Sequence, residues 1–186
     1  LVISDNIYSD LSNKIDNKYN LIKVNKIVDK YPNTVKLNVC INNNIAIHNF
    51  KYTDDILNKL LEKYIKINVG QGYTNCNILF FGSSYITSDI GIYNILIKNN
   101  LDVLYIDNSE LDIKLVSNID LNNKYSEKKG FIGGCSVVFN NTVIFFGDLN
   151  KFKCKQKLVK YITDRGYYIK DFKNIDMIDI GSAVII

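Results

Sequence analysis

Apolar and polar positions alternate along this chain in short runs, and the runs recur in a fixed order: two short strands, a helix, and a third strand. One copy reads Lys36-Leu-Asn-Val-Cys-Ile-Asn, then Ile45-Ala-Ile-His-Asn, a helix from Asp54 to Tyr64, and Ile65-Lys-Ile-Asn-Val. The next reads Cys76-Asn-Ile-Leu-Phe-Phe-Gly, Tyr85-Ile-Thr-Ser-Asp, a helix from Ile90 to Asn99, and Asp102-Val-Leu-Tyr-Ile-Asp. A third runs through Gly134-Cys-Ser-Val-Val-Phe-Asn, Thr142-Val-Ile-Phe-Phe-Gly-Asp, a helix from Lys155 to Asp164, and Tyr167-Tyr-Ile-Lys-Asp-Phe. Self-similarity at this period predicts a repeat architecture, in which each unit buries its apolar face against its neighbours. The helices agree: Ile56, Leu57, Leu60, Leu61 and Tyr64 share one face, as do Tyr8, Leu11 and Ile15. Thr53 or Asp54 can cap the first of these helices, and Ser88 or Asp89 the one that follows.

The ends of the chain complete the pattern. Leu1-Val-Ile-Ser-Asp reads as a second strand and Gly181-Ser-Ala-Val-Ile-Ile as a first strand, with a helix from Asn6 to Lys18 and Asn20-Leu-Ile-Lys-Val as the third strand. The expectation is an α/β propeller in a single domain over 1–186, closed by pairing of its N- and C-terminal strands, which removes exposed sheet edges. Its units are 1–30 with 178–186, 31–70, 71–107 and 130–173. The polar stretch 108–129 departs from the repeat and is read as an insertion loop. An open stack or a truncated chain is the alternative.

Composition narrows the class. Of 186 residues 47% are apolar, enough for a sizeable core. No run is long enough to span a bilayer and the start lacks the pattern of a signal peptide, so a cytoplasmic protein is expected, with no membrane partner. The net charge of +4 is spread among acids, and the basic run Lys151-Phe-Lys-Cys-Lys-Gln-Lys reads as a solvated helix start, which argues against nucleic acid. Cys40, Cys76, Cys135 and Cys154 form no CxxC pair and have no His at metal spacing, so no metal and no cofactor are expected.

Aligning the repeats brings out two sets of polar positions. At the close of the second strand stand Asp5, Asn49, Asp89 and Asp148; at the start of the first strand stand Asn38, Asn77, Ser136 and Ser182, preceded by Leu37, Cys76, Cys135 and Gly181. In a closed ring they would line a central channel, where Asp89 and Asp148 could hold a guanidinium or ammonium by charge-assisted hydrogen bonds. The competing explanation is ordinary capping, since Asp and Asn oxygens satisfy free N–H groups at strand-to-helix junctions. Cys135 follows two glycines whose amides could activate a thiol, and His48 could serve it if both faced the ring centre; a strand cysteine is otherwise a small buried hydrophobe.

The order of elements from Gly134 onward resembles the pentein fold of the guanidine-modifying enzyme superfamily. The motifs Gln71-Gly-Tyr-Thr-Asn-Cys, Ile86-Thr-Ser-Asp, Gly130-Phe-Ile-Gly-Gly-Cys-Ser, Gly147-Asp-Leu and Ile178-Asp-Ile-Gly-Ser resemble those of an uncharacterised bacterial branch placed with it. The resemblance implies a cysteine nucleophile on the final strand, a His on a first strand and carboxylates that grip a cationic substrate. This chain has no Cys at the matching place, Gly181-Ser182, and no His in the unit that begins at Cys76; His48 lies one unit earlier. Pentein rings usually contain five units, against four here. The expected function is therefore a small-molecule pocket for a guanidinium or amine, with a non-catalytic interaction protein, or a Cys135-dependent hydrolase or amidinotransferase, as alternatives. A ribosome-associated initiation factor shows that a related ring fold can serve interaction alone.

Overall fold

The computed structural model of the chain describes residues 1–116, 129–181 and 183, and these fall into two units that divide between Thr74 and Asn75. In the first unit β1 (Val2–Ser4) lies parallel to β2 (Ile22–Val24), with α1 (Asp5–Ser12) between them in sequence. The Ser4 hydroxyl accepts from Asn6 N–H and caps α1. The helix expected to reach Lys18 stops at Ser12. Ser12 and Asn13 are weak helix formers, and Asp16 accepts from Lys18 N–H (3.0 Å) in an Asx turn.

A three-stranded sheet follows: β3 (Cys40–Asn42), β4 (Ile45–His48) and, after α2 (Asp55–Leu60), β5 (Ile65–Asn68). The first pair is antiparallel and the second parallel. Asp54 caps α2 by accepting from Ile56 and Leu57 N–H. Val39, Ala46, Leu57 and Leu61 form the buried cluster, with Val2, Leu37, Phe50 and Tyr64 packed against it. Here the strand expected from Lys36 begins only at Cys40, because a 3₁₀ turn over Asn33–Val35 occupies the approach.

The second unit repeats the arrangement twice. After a helical turn, α3 (Thr74–Asn77), the strands β6 (Ile78–Phe81) and β7 (Ser84–Thr87) pair antiparallel, α4 (Ile90–Lys98) crosses over, and β8 (Asp102–Tyr105) returns parallel to β7. The strands β10 (Ser136–Phe139), β11 (Thr142–Phe145) and β12 (Tyr168–Lys170) do the same around α5 (Lys155–Thr163). In all three sheets the hairpin turn has two residues and its first residue is left-handed: Asn43 (φ 53°), Gly82 (φ 55°) and Asn140 (φ 52°). Asn is the side chain that best tolerates this conformation after Gly, which explains the Asn-rich turns.

The core of the second unit includes Leu79, Phe81, Ile86, Ile132, Val143, Phe145, Leu158 and Ile162. Leu111 and Ile113, inside the stretch read as an insertion loop, are buried in this same cluster. Just beyond them β9 (Lys114–Leu115) pairs parallel with β13 (Ile178–Asp179). Residues 117–128 of that stretch lie outside the described residues. So do Ser182 and 184–186, on which the expected pairing of the terminal strands falls. Among the described residues the fold is mixed α/β with five small sheets, and no closed propeller is found.

The chain's single arginine joins α5 to the neighbouring sheet. Arg165 Nε donates to Asp102 Oδ2 (2.6 Å) and Nη2 to Asp102 Oδ1 (2.7 Å), while Nη1 donates to the Tyr161 carbonyl (2.9 Å). Ser84 Oγ accepts from Nε as well (2.9 Å), and the guanidinium lies over the Tyr161 ring. The Arg165 hydrogen bonds hold the Asp102 carboxyl down at about 2.

Candidate functional site

The expected carboxylates turn out to be bound to backbone. Asp89 caps α4, its Oδ1 accepting from Ile92 N–H (2.8 Å). Asp148 caps the 3₁₀ turn over Leu149–Lys151 by accepting from Asn150 N–H (2.9 Å), and its other oxygen accepts from Asn174 N–H (3.0 Å). Lys173 Nζ stands 3.6 Å from Asp148. Those two backbone bonds, with Lys173 behind them, keep the Asp148 carboxyl below its ordinary range. In the first unit the caps are Ser4 and Asp54, so Asp5 and Asn49 do not play this part. Asp5 pairs with Lys23, and Asn49 Nδ2 donates to the Gly70 carbonyl (3.0 Å).

Of the small polar set, Asn38 lies ahead of β3 and Asn77 ends α3, so neither sits on the strand expected for it. Helix geometry from Thr74 displaced the strand start from Cys76 to Ile78. Ser136 opens β10 and donates to the Ile132 carbonyl (2.7 Å). Ser182 lies outside the described residues.

His48 and Cys135 are each fully buried in their own unit. His48 Nε2 is 2.8 Å from the Gly72 carbonyl, and Nδ1 is 2.7 Å from Thr53 Oγ1. A carbonyl can only accept, so Nε2 carries the proton and Nδ1 accepts from the Thr53 hydroxyl. Burial pushes the imidazole below its ordinary value. The Cys135 thiol donates to the Ile132 carbonyl (3.3 Å). Burial, and then the charge of Asp179, push that thiol well up, which is the reverse of what a nucleophile needs. Cys40 is raised in the same direction and Cys154 to about 11, both by burial. All four thiols are free and buried. Iodoacetamide at neutral pH is therefore expected to label none of them quickly, and labelling of Cys135 well ahead of the other three would sink this assignment.

The group brought out by the geometry is Asp179. It is 4% exposed, its Oδ2 accepts from Phe131 N–H (2.8 Å), and its Oδ1 accepts from Gly181 N–H (2.7 Å) in an Asx turn. Gly134 makes room for it, since a Cβ there would stand 1.9 Å from Asp179 Oδ1. Cys76 Sγ donates to the Gly181 carbonyl (2.7 Å), and Gly134 N–H donates to the Cys76 carbonyl (2.9 Å), which closes the cradle. Burial raises the carboxyl above its ordinary range although both backbone bonds oppose this. Four other carboxylates of the second unit are paired: Asp102 with Arg165, Asp148 and Asp171 with Lys173, Asp176 with Lys114 and Lys151. Among the described residues no Lys or Arg forms an ion pair with Asp179. The sequence signal was present, in Gly130-Phe-Ile-Gly-Gly-Cys-Ser and Ile178-Asp-Ile-Gly-Ser, but nothing in it says that the two segments meet.

Among the described residues no group of three His, Cys, Asp or Glu could hold a metal, and no helix is long and apolar enough to cross a membrane. Residues 1–184 match the model of a family of unknown function (DUF6873), and the chain belongs to that family. No curated protein matches it, and no solved structure does.

Proposed function

We propose that this protein is a divergent pentein that binds a small organic cation, a guanidinium or a primary amine, and that Asp179 supplies the charge the ligand meets. The observation that carries the reading is a carboxylate buried without a counter-ion among the described residues, whereas Asp102, Asp148, Asp171 and Asp176 each have one. A buried charge is costly unless paired, and a perturbed carboxyl of this kind is a recognised mark of a binding site. The repeated order of antiparallel then parallel strands around a crossover helix supports the pentein affiliation. Thiolate chemistry at Cys135 has against it the burial of that thiol and the carboxylate beside it. Four free thiols suit a reducing compartment, so cytoplasmic residence belongs to the same reading.

Thermal unfolding against arginine, agmatine, methylated arginines, guanidinoacetate and simple amines tests it. A ligand at a hundred times its Kd should stabilise the fold by about 2.7 kcal/mol. The shift should vanish in Asp179→Asn, and in the wild type the affinity should rise with pH through the raised titration range of Asp179, since the cation selects the ionised form. A shift that survives Asp179→Asn but not Asp89→Asn or Asp148→Asn would move the site to those caps. No shift across the whole panel would overturn the cation reading, and an affinity independent of pH would remove Asp179 from it even if the variant failed to fold.

A further inference from the structure

Three segments of the second unit meet around Asp179, and Cys76 bonds from the first of them to the other two. Its carbonyl accepts from Gly134 N–H (2.9 Å), and its thiol donates to the Gly181 carbonyl (2.7 Å), 105 residues further along the chain. Ile180 N–H completes the circuit by donating to the Gly134 carbonyl (3.0 Å). Asp179 sits inside it, with Oδ2 on Phe131 N–H and Oδ1 on Gly181 N–H. Glycines let the segments close in: a Cβ on Gly133 would stand 2.7 Å from the Cys76 carbonyl oxygen, and one on Gly130 would stand 2.5 Å from Asp179 Cβ. Gly181 is the weak point of the circuit. It stands at φ 96°, and a glycine passes readily between that region and others, so its own conformation does not fix where its N–H points. The direction is set by what holds the residue on either side, Asp179 Oδ1 at the N–H and the Cys76 thiol at the carbonyl.

We propose, resting on Asp179 as the group a cation meets, that Cys76 is the positioning residue of that site: its thiol fixes the turn that keeps Gly181 N–H on Oδ1, and its carbonyl fixes Gly134 against the carboxylate. Hydrogen bonds from N–H groups favour the ionised carboxylate, and the ionised form is the one that attracts a cation. A thiol suits this place. It is a small donor that tolerates burial, here at 6% exposure, and it brings no charge to compete with the ligand.

Titration of the Asp179 carboxyl, followed by its carbon signal in the NMR spectrum of the intact chain without ligand, reads the effect. In Cys76→Ala the Gly181 turn is released and Oδ1 loses its donor, so the midpoint should rise by about one pH unit, the effect of losing one charge-assisted hydrogen bond. Cys76→Ser keeps an O–H donor toward the same carbonyl and should return the midpoint to its wild-type position. Arginine or agmatine, whichever the wild type binds more tightly, should lose about tenfold in affinity in Cys76→Ala on the acid side of both midpoints and recover on the alkaline side, a dependence that a mere loosening of the fold would not produce. An unmoved midpoint in Cys76→Ala, or an equal rise in Cys76→Ser, would overturn the proposal. If Cys76→Ala does not fold, the wild type decides: a Cys76 β-carbon signal that follows the titration of the Gly181 amide supports the link, and one that stays flat through it overturns it. The two readings fail separately. Cations that bind through Asp179 with unchanged affinity in Cys76→Ala at every pH would leave the site and remove its positioning residue, whereas a shifted midpoint with no cation bound would keep the role of Cys76 at the carboxylate and remove the ligand.

Discussion

Gly133→Ala is expected to destabilise the second unit by more than about 3 kcal/mol, because the added methyl has nowhere to go. A Cβ at this position would lie 2.4 Å from the Ile78 carbonyl oxygen, 2.6 Å from that of Asn75 and 2.7 Å from that of Cys76. All three are backbone atoms of α3 and the start of β6, and relief would require the turn itself to move. Overpacking against side chains can be relaxed by rotamer changes; here no rotamer is available. Gly70→Ala is the matched control, since nothing lies within 4 Å of its Cβ direction and its φ is not left-handed. It should change stability by less than about 0.5 kcal/mol, with a slight gain from the stiffer unfolded chain. Urea unfolding of both variants gives the comparison, and a Gly133→Ala midpoint equal to that of the wild type would mean that Asn75–Ile78 does not hold the described conformation in solution.

Phe145→Ala should cost about 3–5 kcal/mol, in the range of large-to-small substitutions in well-packed cores. Phe145 is 0% exposed on β11, the middle strand of its sheet, opposite Ser136 of β10. Neighbours on the middle strand of a small sheet cannot close in without disturbing two ladders, so most of the cavity should persist. The variant should keep the slope of its urea transition and shift only the midpoint. Tyr168→Ala on the edge strand of the same sheet makes the contrast: this ring is 72% exposed and its removal should stay within about 0.5 kcal/mol. A Tyr168→Ala loss comparable with that of Phe145→Ala would show the edge of this sheet to be covered in solution.

Local pattern carried much of the architecture. The helix from Ile90 is readable because its apolar spacing and its capping Asp89 agree, and the helix from Lys155 from its apolar spacing alone, since Cys154 before it makes no side-chain cap. The two-residue turns at Asn43, Gly82 and Asn140 were readable as breaks between strands for the same reason. Where local signals competed, the reading failed. The apolar run through Leu11 and Ile15 promised a longer first helix, but the Asx turn at Asp16 ended it. Cys76 and Asn77 looked like a strand because they precede Ile-Leu-Phe-Phe, yet Thr74 bonds back to Asn38 and Ile47 and the chain is drawn into a helical turn.

The candidate site was less legible, and for a different reason. Capping by Asp89 and Asp148 is a short-range interaction, two or three residues long, and spacing alone exposes it. The Asp179 cradle depends on a partner 48 residues away at Phe131, and a single sequence holds no record of that approach. For His48 the sequence supplied the residue but not its neighbours; Gly72 is 24 residues further on, and only the folded backbone aims its carbonyl at the ring.

The solitary arginine gives this molecule a built-in gauge of its own integrity. An arginine-specific protease has one peptide bond to attack in the whole chain, the one after Arg165, and in the folded state the side chain it must seize is held by Asp102, Ser84 and the Tyr161 carbonyl. Scission there must wait until α5 parts from the sheet of β6, β7 and β8. Its rate counts how often that separation happens, with no label attached and no residue changed.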